Sequence, residues 1–535
     1  MGSARILGAV AAGHRATADA AAFALREGGN AFDAVIAAHW SACVAEPVLT
    51  SLGGGGFLIA QPHDSAPRVY DFFAHTPRHK RPVGDIDFHP IHADFGTTLQ
   101  EFHIGYGSIA TPGTVRGLFS VQRDLARLPM AVLAAPAVQL AREGVRVNAL
   151  QAYILDVVRP IYRASAAAAQ RFGSSRDAGR LVGENELLRL PELGDTIQWL
   201  VEEGDRLFYE GDIAAAIDRA CTTQGGYLRR EDLSAYQVKL RRPLQVTYRS
   251  ARLLTNPPPS SGGLLIAFAL KLLERLDAHG TAIDSPAGLA RLAEVMRLTN
   301  EARLKATGSG LLDERLLDPE LIQLYLEQVQ NRTPALRGTT HISVIDRAGN
   351  IAALTTSNGE GCGHLLGDTG IMLNNMLGEE DLNPDGFHRW QENRRLTSMM
   401  SPSILQLDPT HCVALGSGGS NRIRSALLQV LLRLVDEALP LADAISRPRI
   451  HYENGLLNIE AGFEDSINGP LQQQFTQTSC WPGANLFFGG VHAVALAQHG
   501  LACCGDQRRG GVAILAKGAP FTADRASPEA PTVGT

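Results

Sequence analysis

Long apolar runs are missing from this chain of 535 residues. None approaches the ~18–20 residues that a membrane-spanning helix needs. Cysteine is sparse as well. Cys43, Cys221, Cys362, Cys412, Cys480, Cys503 and Cys504 form an odd, scattered set without a CxxC pair. That excludes a thiolate zinc site of short repeated spacing and reads as the reduced thiols of a cytoplasmic protein. His89, His92, Asp94 and His103 match no common ligand pattern either, so no metal is expected. No Lys/Arg tract dominates any segment, and 49 basic residues stand against 55 acidic ones. Nucleic acid and anionic membrane are therefore poor partners, and small molecules or peptides are the better ones. No fixed-period repeat occurs, which disfavours a solenoid. Leu52-Gly-Gly-Gly-Gly-Phe57 lacks the spacing of a dinucleotide fingerprint, and no cofactor is expected.

What is present is ordinary globular composition, 45% hydrophobic and 19% charged, with ample material for a core. At the start, Arg5 followed by the apolar stretch 6–13 imitates a leader peptide, but its basic region is thin and its apolar run short. Ala18–Glu27 reads as a helix closed by Gly28-Gly29, and Asn30 as the cap of a second helix over Ala31–Ala45 that Pro47 ends. Phe57–Ala60 reads as a strand. Between 110 and 330 the signals are mostly helical, with Pro136 read at a first helical position. After 335 the texture changes to hairpins and Gly-rich loops, and 518–535 reads as a frayed tail. Helices first and strands later indicate an α+β or layered αβ protein.

Residues 337–358 carry the strongest local signal. His341–Asp346 and Ile351–Ser357 are strand-like, joined by a turn at Arg347-Ala-Gly-Asn350. A turn centred between Ala348 and Gly349 puts Thr339 opposite Asn358, with Ser357 one step along, within about 4.5–8 Å. A one-residue bulge puts Ser357 opposite instead. Either way a hydroxyl at a strand start meets another hydroxyl and an amide.

Eight stretches in order resemble the γ-glutamyltransferase family. They are EGGNAFDAVIAA (27–38), LGGGGF (52–57), ATPGTVRGL (110–118), NPPPSSGG (256–263), TTHISVIDRAGN (339–350), GDTGIMLNN (367–375), SMMSPSI (398–404) and GSGGSNRI (416–423). The resemblance implies a four-layer αββα N-terminal-nucleophile fold, made as one chain and self-cut between Gly338 and Thr339. The pieces, 1–338 and 339–517 plus tail, would then form an interleaved heterodimer, with room for further assembly. It implies Thr339 as nucleophile, with its freed α-amine as base, and Ser357 as a second hydroxyl. Gly418 and Gly419 would supply oxyanion N–H groups; an ungapped reading back from Arg422-Ile423 gives Gly419 and Ser420 instead. Asn358, Glu379, Thr397, Ser398 and Ser420 fall at substrate-binding positions, with Glu380 or Asp381 as alternatives to Glu379.

Two departures stand out against that pattern. Phe73 stands where the family keeps a carboxylate-binding arginine, and Met376 where it keeps a glutamine. Whether Arg78, five residues on, takes the arginine's place is left to the fold. The expected function is amide acyl transfer or hydrolysis with glutathione or another γ-glutamyl donor. The alternatives are an acylase on a glutaryl-cephalosporin-type or polyglutamate-type donor, and an uncleaved non-catalytic binding protein.

Overall fold

The computed structural model describes residues 5–94, 99–276, 282–309, 313–325, 338–383, 385–453, 455–463, 465–475 and 477–518. The frayed tail expected over 518–535, apart from Gly518, lies outside these residues. Two antiparallel sheets organise the chain. Their strands are β1 (Ile6–Ala12), β2 (Gly55–Gln61), β3 (Arg68–Phe72), β4 (Lys239–Arg241), β5 (Leu244–Tyr248), β6 (Ala251–Thr255), β7 (Thr340–Asp346), β8 (Ile351–Ser357), β9 (Ser403–Asp408), β10 (His411–Gly418), β11 (Gly490–Ala497), β12 (Gly500–Cys504) and β13 (Val512–Lys517). One sheet runs β13-β1-β7-β8-β2-β3-β4 and the other β12-β11-β10-β9-β6-β5. Strands from either side of residue 339 thus intermingle within one sheet, β1 lying between β13 and β7.

Helices α1 (Arg15–Arg26) and α2 (Ala31–Ala45) pack on β1, β7 and β8. The other face of that sheet meets β10 and β11 of the second sheet. Helix α3 (Gly262–Arg275) packs on β5, and α5 (Arg422–Val435) on β10 and β11; α4 (Pro286–Ser309) lies against α3. Strand alternation divides the core. Ile342, Val344, Ala352 and Leu354 join α1 and α2, whereas Ile345, Ile351 and Ala353 join Leu415 and α3. Each such fully buried Leu, Ile or Val contributes about 1.5–3 kcal/mol.

The leader-like stretch 6–13 turns out to be an interior strand, with Val10 opposite both Val344 and Ile514. A strand covered on both faces carries a continuous apolar run, which explains the imitation. Pro136 lies inside the helix Met130–Glu143, not at its first position, because Pro129 precedes that helix and Met130–Ala135 are good helix formers. The mostly helical middle also contains β4 to β6, where Arg241-Arg-Pro243 masks the alternation of Leu244, Val246 and Tyr248.

Candidate active site

Helix α2 holds the β7–β8 hairpin at both ends. Asn30 and Asp33 form its capping box, as the sequence suggested for Asn30. At the same end the Ala31 N–H donates to Asp346 Oδ2 (3.0 Å) in the hairpin turn. At the far end Glu46, wholly buried, accepts from Thr17 Oγ1 (2.7 Å) and from Thr340 Oγ1 (2.8 Å), beside Thr339. Thr50 and Thr356 hydroxyls meet at 3.0 Å on the second strand. The lengths match, since 15 helical residues span about 22 Å and seven strand residues about 23 Å. Burial pushes the Glu46 carboxyl above its ordinary value, and its two threonine partners pull it back.

The hairpin register differs by one residue from a turn centred between Ala348 and Gly349. Thr340 pairs with Thr356, and Ile345 with Ile351. Asp346 Oδ1 accepts from the N–H groups of Ala348 and Asn350, and Gly349 takes φ +85°, so three residues make the connection. The slip brings Ser357, not Asn358, level with Thr339. Both hydroxyls reach one carbonyl: Thr339 Oγ1 donates to the Gly338 oxygen at 2.7 Å and Ser357 Oγ at 2.8 Å. The Gly338 N–H donates to Glu360 Oε1 (3.0 Å), and Arg509 Nη1 approaches the Thr339 carbonyl (3.4 Å). Burial lowers the Arg509 guanidinium to about 10, which leaves it charged at neutral pH.

Strand β10 ends against Thr339. A Cβ on Gly418 would overlap the Thr339 carbonyl oxygen, and one on Gly416 the His341 ring. Gly419 (φ +119°) and Ser420 (φ +53°) then turn the chain into α5. Ser420 is a non-glycine residue in the left-handed region, a strain of order 1–3 kcal/mol that functional turns retain. Among the described residues, neither the Gly419 nor the Ser420 N–H donates to another protein group.

Thr339, Ser357, Glu379, Ser398 and Ser420 line a single narrow cleft with Gly338 and Asp381. Phe73, Leu382, Met399, Met400 and Ile423 form its apolar wall. The proline-rich loop braces it, for the N–H groups of Ser261 and Gly262 and the Ser260 hydroxyl all donate to the Ser398 carbonyl.

The sequence profile of the gamma-glutamyltranspeptidase family matches residues 17–516. The chain belongs to that family. It is 28% identical over 482 residues to an acylase ACY 1 proenzyme of Pseudomonas sp. (strain V22), covering 86% of this chain and 85% of that one. It is 29% identical over 485 residues to the glutathione hydrolase proenzyme of Escherichia coli (strain K12), covering 82% and 80%. Its fold is similar to that of a cephalosporin acylase from Bacillus halodurans, with TM-score 0.82, 21% identity and 96% of each chain covered.

The remaining family positions are spread around the cleft. Asn358 is fully buried, directs Nδ2 to the Met372 carbonyl (3.4 Å) and is not among the lining residues. Thr397 stands just outside, with Oγ1 donating to Ser261 Oγ at 3.4 Å. Gly418 lies against the Thr339 carbonyl. Met376 is fully buried in the apolar core. Arg78 does not replace the arginine: it lines a separate polar cavity with His75, Asp232 and Lys239. Arg395 lies behind Phe73, donating to its carbonyl and to Tyr236, with Asp71 at 3.3 Å.

Glu46, Glu360 and Arg509 escaped the sequence reading. A faint signal existed for each: an acid closing a mostly apolar helix before Pro47, an acid two residues past Asn358, and a charged pair before Gly510-Gly511.

Histidines packed around the hairpin are held neutral by burial, His492 and His14 down to about 4, His39 to about 3, and His341 well below its ordinary value. Because their folded values are depressed, their contribution is full above about 6.5 and is lost as pH falls through 4. A displacement from 6.5 to about 4 corresponds to about 3 kcal/mol at most for one group. The urea midpoint is therefore expected to fall steadily between pH 6.5 and 4; a midpoint constant over that range would contradict it.

Proposed function

We propose that the chain is an amide acyltransferase or hydrolase that matures by cutting itself at Gly338–Thr339. The observation carrying this reading is the convergence of the Thr339 and Ser357 hydroxyls on the Gly338 carbonyl. In maturation Thr339 Oγ1 bonds to the Gly338 carbonyl carbon, the C–N bond breaks, and the hydroxyl proton ends on the released amine. Water then hydrolyses the ester, giving a Gly338 carboxylate and a free Thr339. The α-amine, with an ordinary pKa of about 7.7–8.0, acts as general base near neutrality. In turnover Thr339 Oγ1 takes the acyl group of an amide, an amine leaves, and water or a second amine accepts the acyl group.

The Gly419 and Ser420 N–H groups suit an oxyanion by their lack of a protein acceptor, and Gly418 sets the approach to Thr339. Residues 1–338 and 339–535 stay together as a heterodimer in a four-layer αββα arrangement, which the interleaved strands support. The donor is a γ-glutamyl-like amide, held by Glu379, Thr397, Ser398 and Ser420, with Asn358 supporting the floor beneath. The second reading is an acylase on a different acyl group, and Phe73 in the cleft wall favours it.

A denaturing gel of the purified protein tests maturation. Two bands corresponding to 1–338 and 339–535 are expected, whereas a lone full-length band after prolonged incubation contradicts the reading.

A further inference from the structure

We propose that Asp381 is a positioning residue for the oxyanion turn: it holds Ser420 in the left-handed conformation and so fixes where the Gly419 and Ser420 N–H groups point. The proposal rests on the acyl-transfer reading above and deepens it by naming what sets that turn.

Ser420 is the strained member of the turn, at φ +53° beside Gly419 at +119°. Glycine takes such angles freely, whereas the Cβ of a serine crowds its own backbone there. A restraint is present. Ser420 Oγ donates to Asp381 Oδ2 (2.9 Å), a charge-assisted bond. Asp381 Oδ1 accepts from Arg303 Nη2 (3.2 Å), and Arg303 Nη1 donates to Asn421 Oδ1 (3.1 Å). The side chains of the neighbours Ser420 and Asn421 thus each bind one member of an ion pair, and the ring closes through the backbone between them.

The ring is anchored on both sides. Asn421 Nδ2 donates to the buried Glu453 carboxylate (2.7 Å), which Arg424 also meets at 3.3 Å. Opposite, Asn383 Nδ2 donates to the Met376 and Glu379 carbonyls (3.1 and 2.7 Å), which fixes the short turn carrying Asp381. The Asp381 and Arg303 side chains are only 11% and 12% exposed, so water competes little for these bonds. Without the Asp381 bond, Ser420 relaxes to negative φ, which rotates the peptide between Gly419 and Ser420 and moves its N–H. The Ser420 oxygen keeps its lone pairs for a γ-glutamyl-like donor.

Anilide kinetics on the mature enzyme, with γ-glutamyl and glutaryl p-nitroanilides, test the proposal. Ser420→Ala keeps the crowded Cβ and loses the bond, so kcat is expected to fall about thirtyfold. Ser420→Gly needs no restraint and should have kcat about tenfold above Ser420→Ala, while KM rises alike in both. Both variants leave the Asp381–Arg303 pair whole. Asp381→Ala should lower kcat about tenfold in the native background and less than about twofold beside Ser420→Gly, as for residues acting through one another. Equal kcat in Ser420→Ala and Ser420→Gly, or an Asp381→Ala effect undiminished beside Ser420→Gly, overturns the proposal.

A crystal structure of Asp381→Ala gives a readout free of turnover. Ser420 at negative φ is expected, and Ser420 still left-handed overturns the proposal. A wild-type enzyme inactive on both anilides removes the γ-glutamyl-like donor, and that structure then decides the role of Asp381 by itself.

Discussion

Thr339→Ala is expected to remain one full-length chain indefinitely and to lose amide turnover by about 10⁴-fold or more. The substitution removes the hydroxyl proposed to bond to the Gly338 carbonyl carbon, and with it the proposed acyl acceptor. Loss of a nucleophile acting within a concerted unit has effects of that order. Folding should survive, because the hairpin is held through Thr340, Thr356 and Asp346 rather than through the Thr339 hydroxyl. Mass spectrometry of the purified variant and an anilide assay check both halves. Cutting that persists at Gly338–Thr339 would assign maturation to an outside protease.

Ser357→Ala should give the second largest effect, a slowing of self-cleavage by about 10²–10³-fold. Its hydroxyl donates to the Gly338 carbonyl oxygen, the atom on which negative charge grows as Thr339 attacks. Removing one such donor costs about 2.7–4 kcal/mol of barrier. Ser357→Thr should recover most of the rate, since a threonine fits a β-strand and keeps the hydroxyl. A time course on denaturing gels reads both variants. Wild-type cleavage by Ser357→Ala would mean that the 2.8 Å contact has no part in the chemistry.

Helix α2 shows how far local rules reach. Asn30 and Pro47 delimit it in the sequence, and it runs from Ala31 to Ala45 as those signals indicate. What those signals lack is its role as a splint for a hairpin some 300 positions away, since contacts between Ala31 and Asp346 or Glu46 and Thr340 leave no local trace. The hairpin itself was legible as two β-branched runs around a turn. Its register was not, because the outcome hung on one aspartate oxygen accepting two turn N–H groups.

The cleft divides along the same line. Thr339, Ser357, Glu379, Ser398 and Ser420 are assigned by the family resemblance and meet at one place. Asn358 was assigned by the same resemblance, yet lies fully buried and outside the cleft lining, one residue past the end of β8 with its amide turned to the Met372 carbonyl. Arg78 and Arg395 sit five residues from Phe73 and three from Ser398 in sequence, and neither enters the cleft.

By itself, then, the sequence determined the family, the helix bounds near the start, and the hydroxyl at residue 339 with its preceding glycine. These depend on residue types at short spacing, where covalent geometry and local hydrogen bonding dominate. Tertiary structure alone decided the hairpin register, the support from Glu46, and the turning of Arg395 and Arg509 toward backbone carbonyls. Those outcomes depend on which distant groups satisfy one another's hydrogen bonds once water is excluded, and no local spacing encodes that.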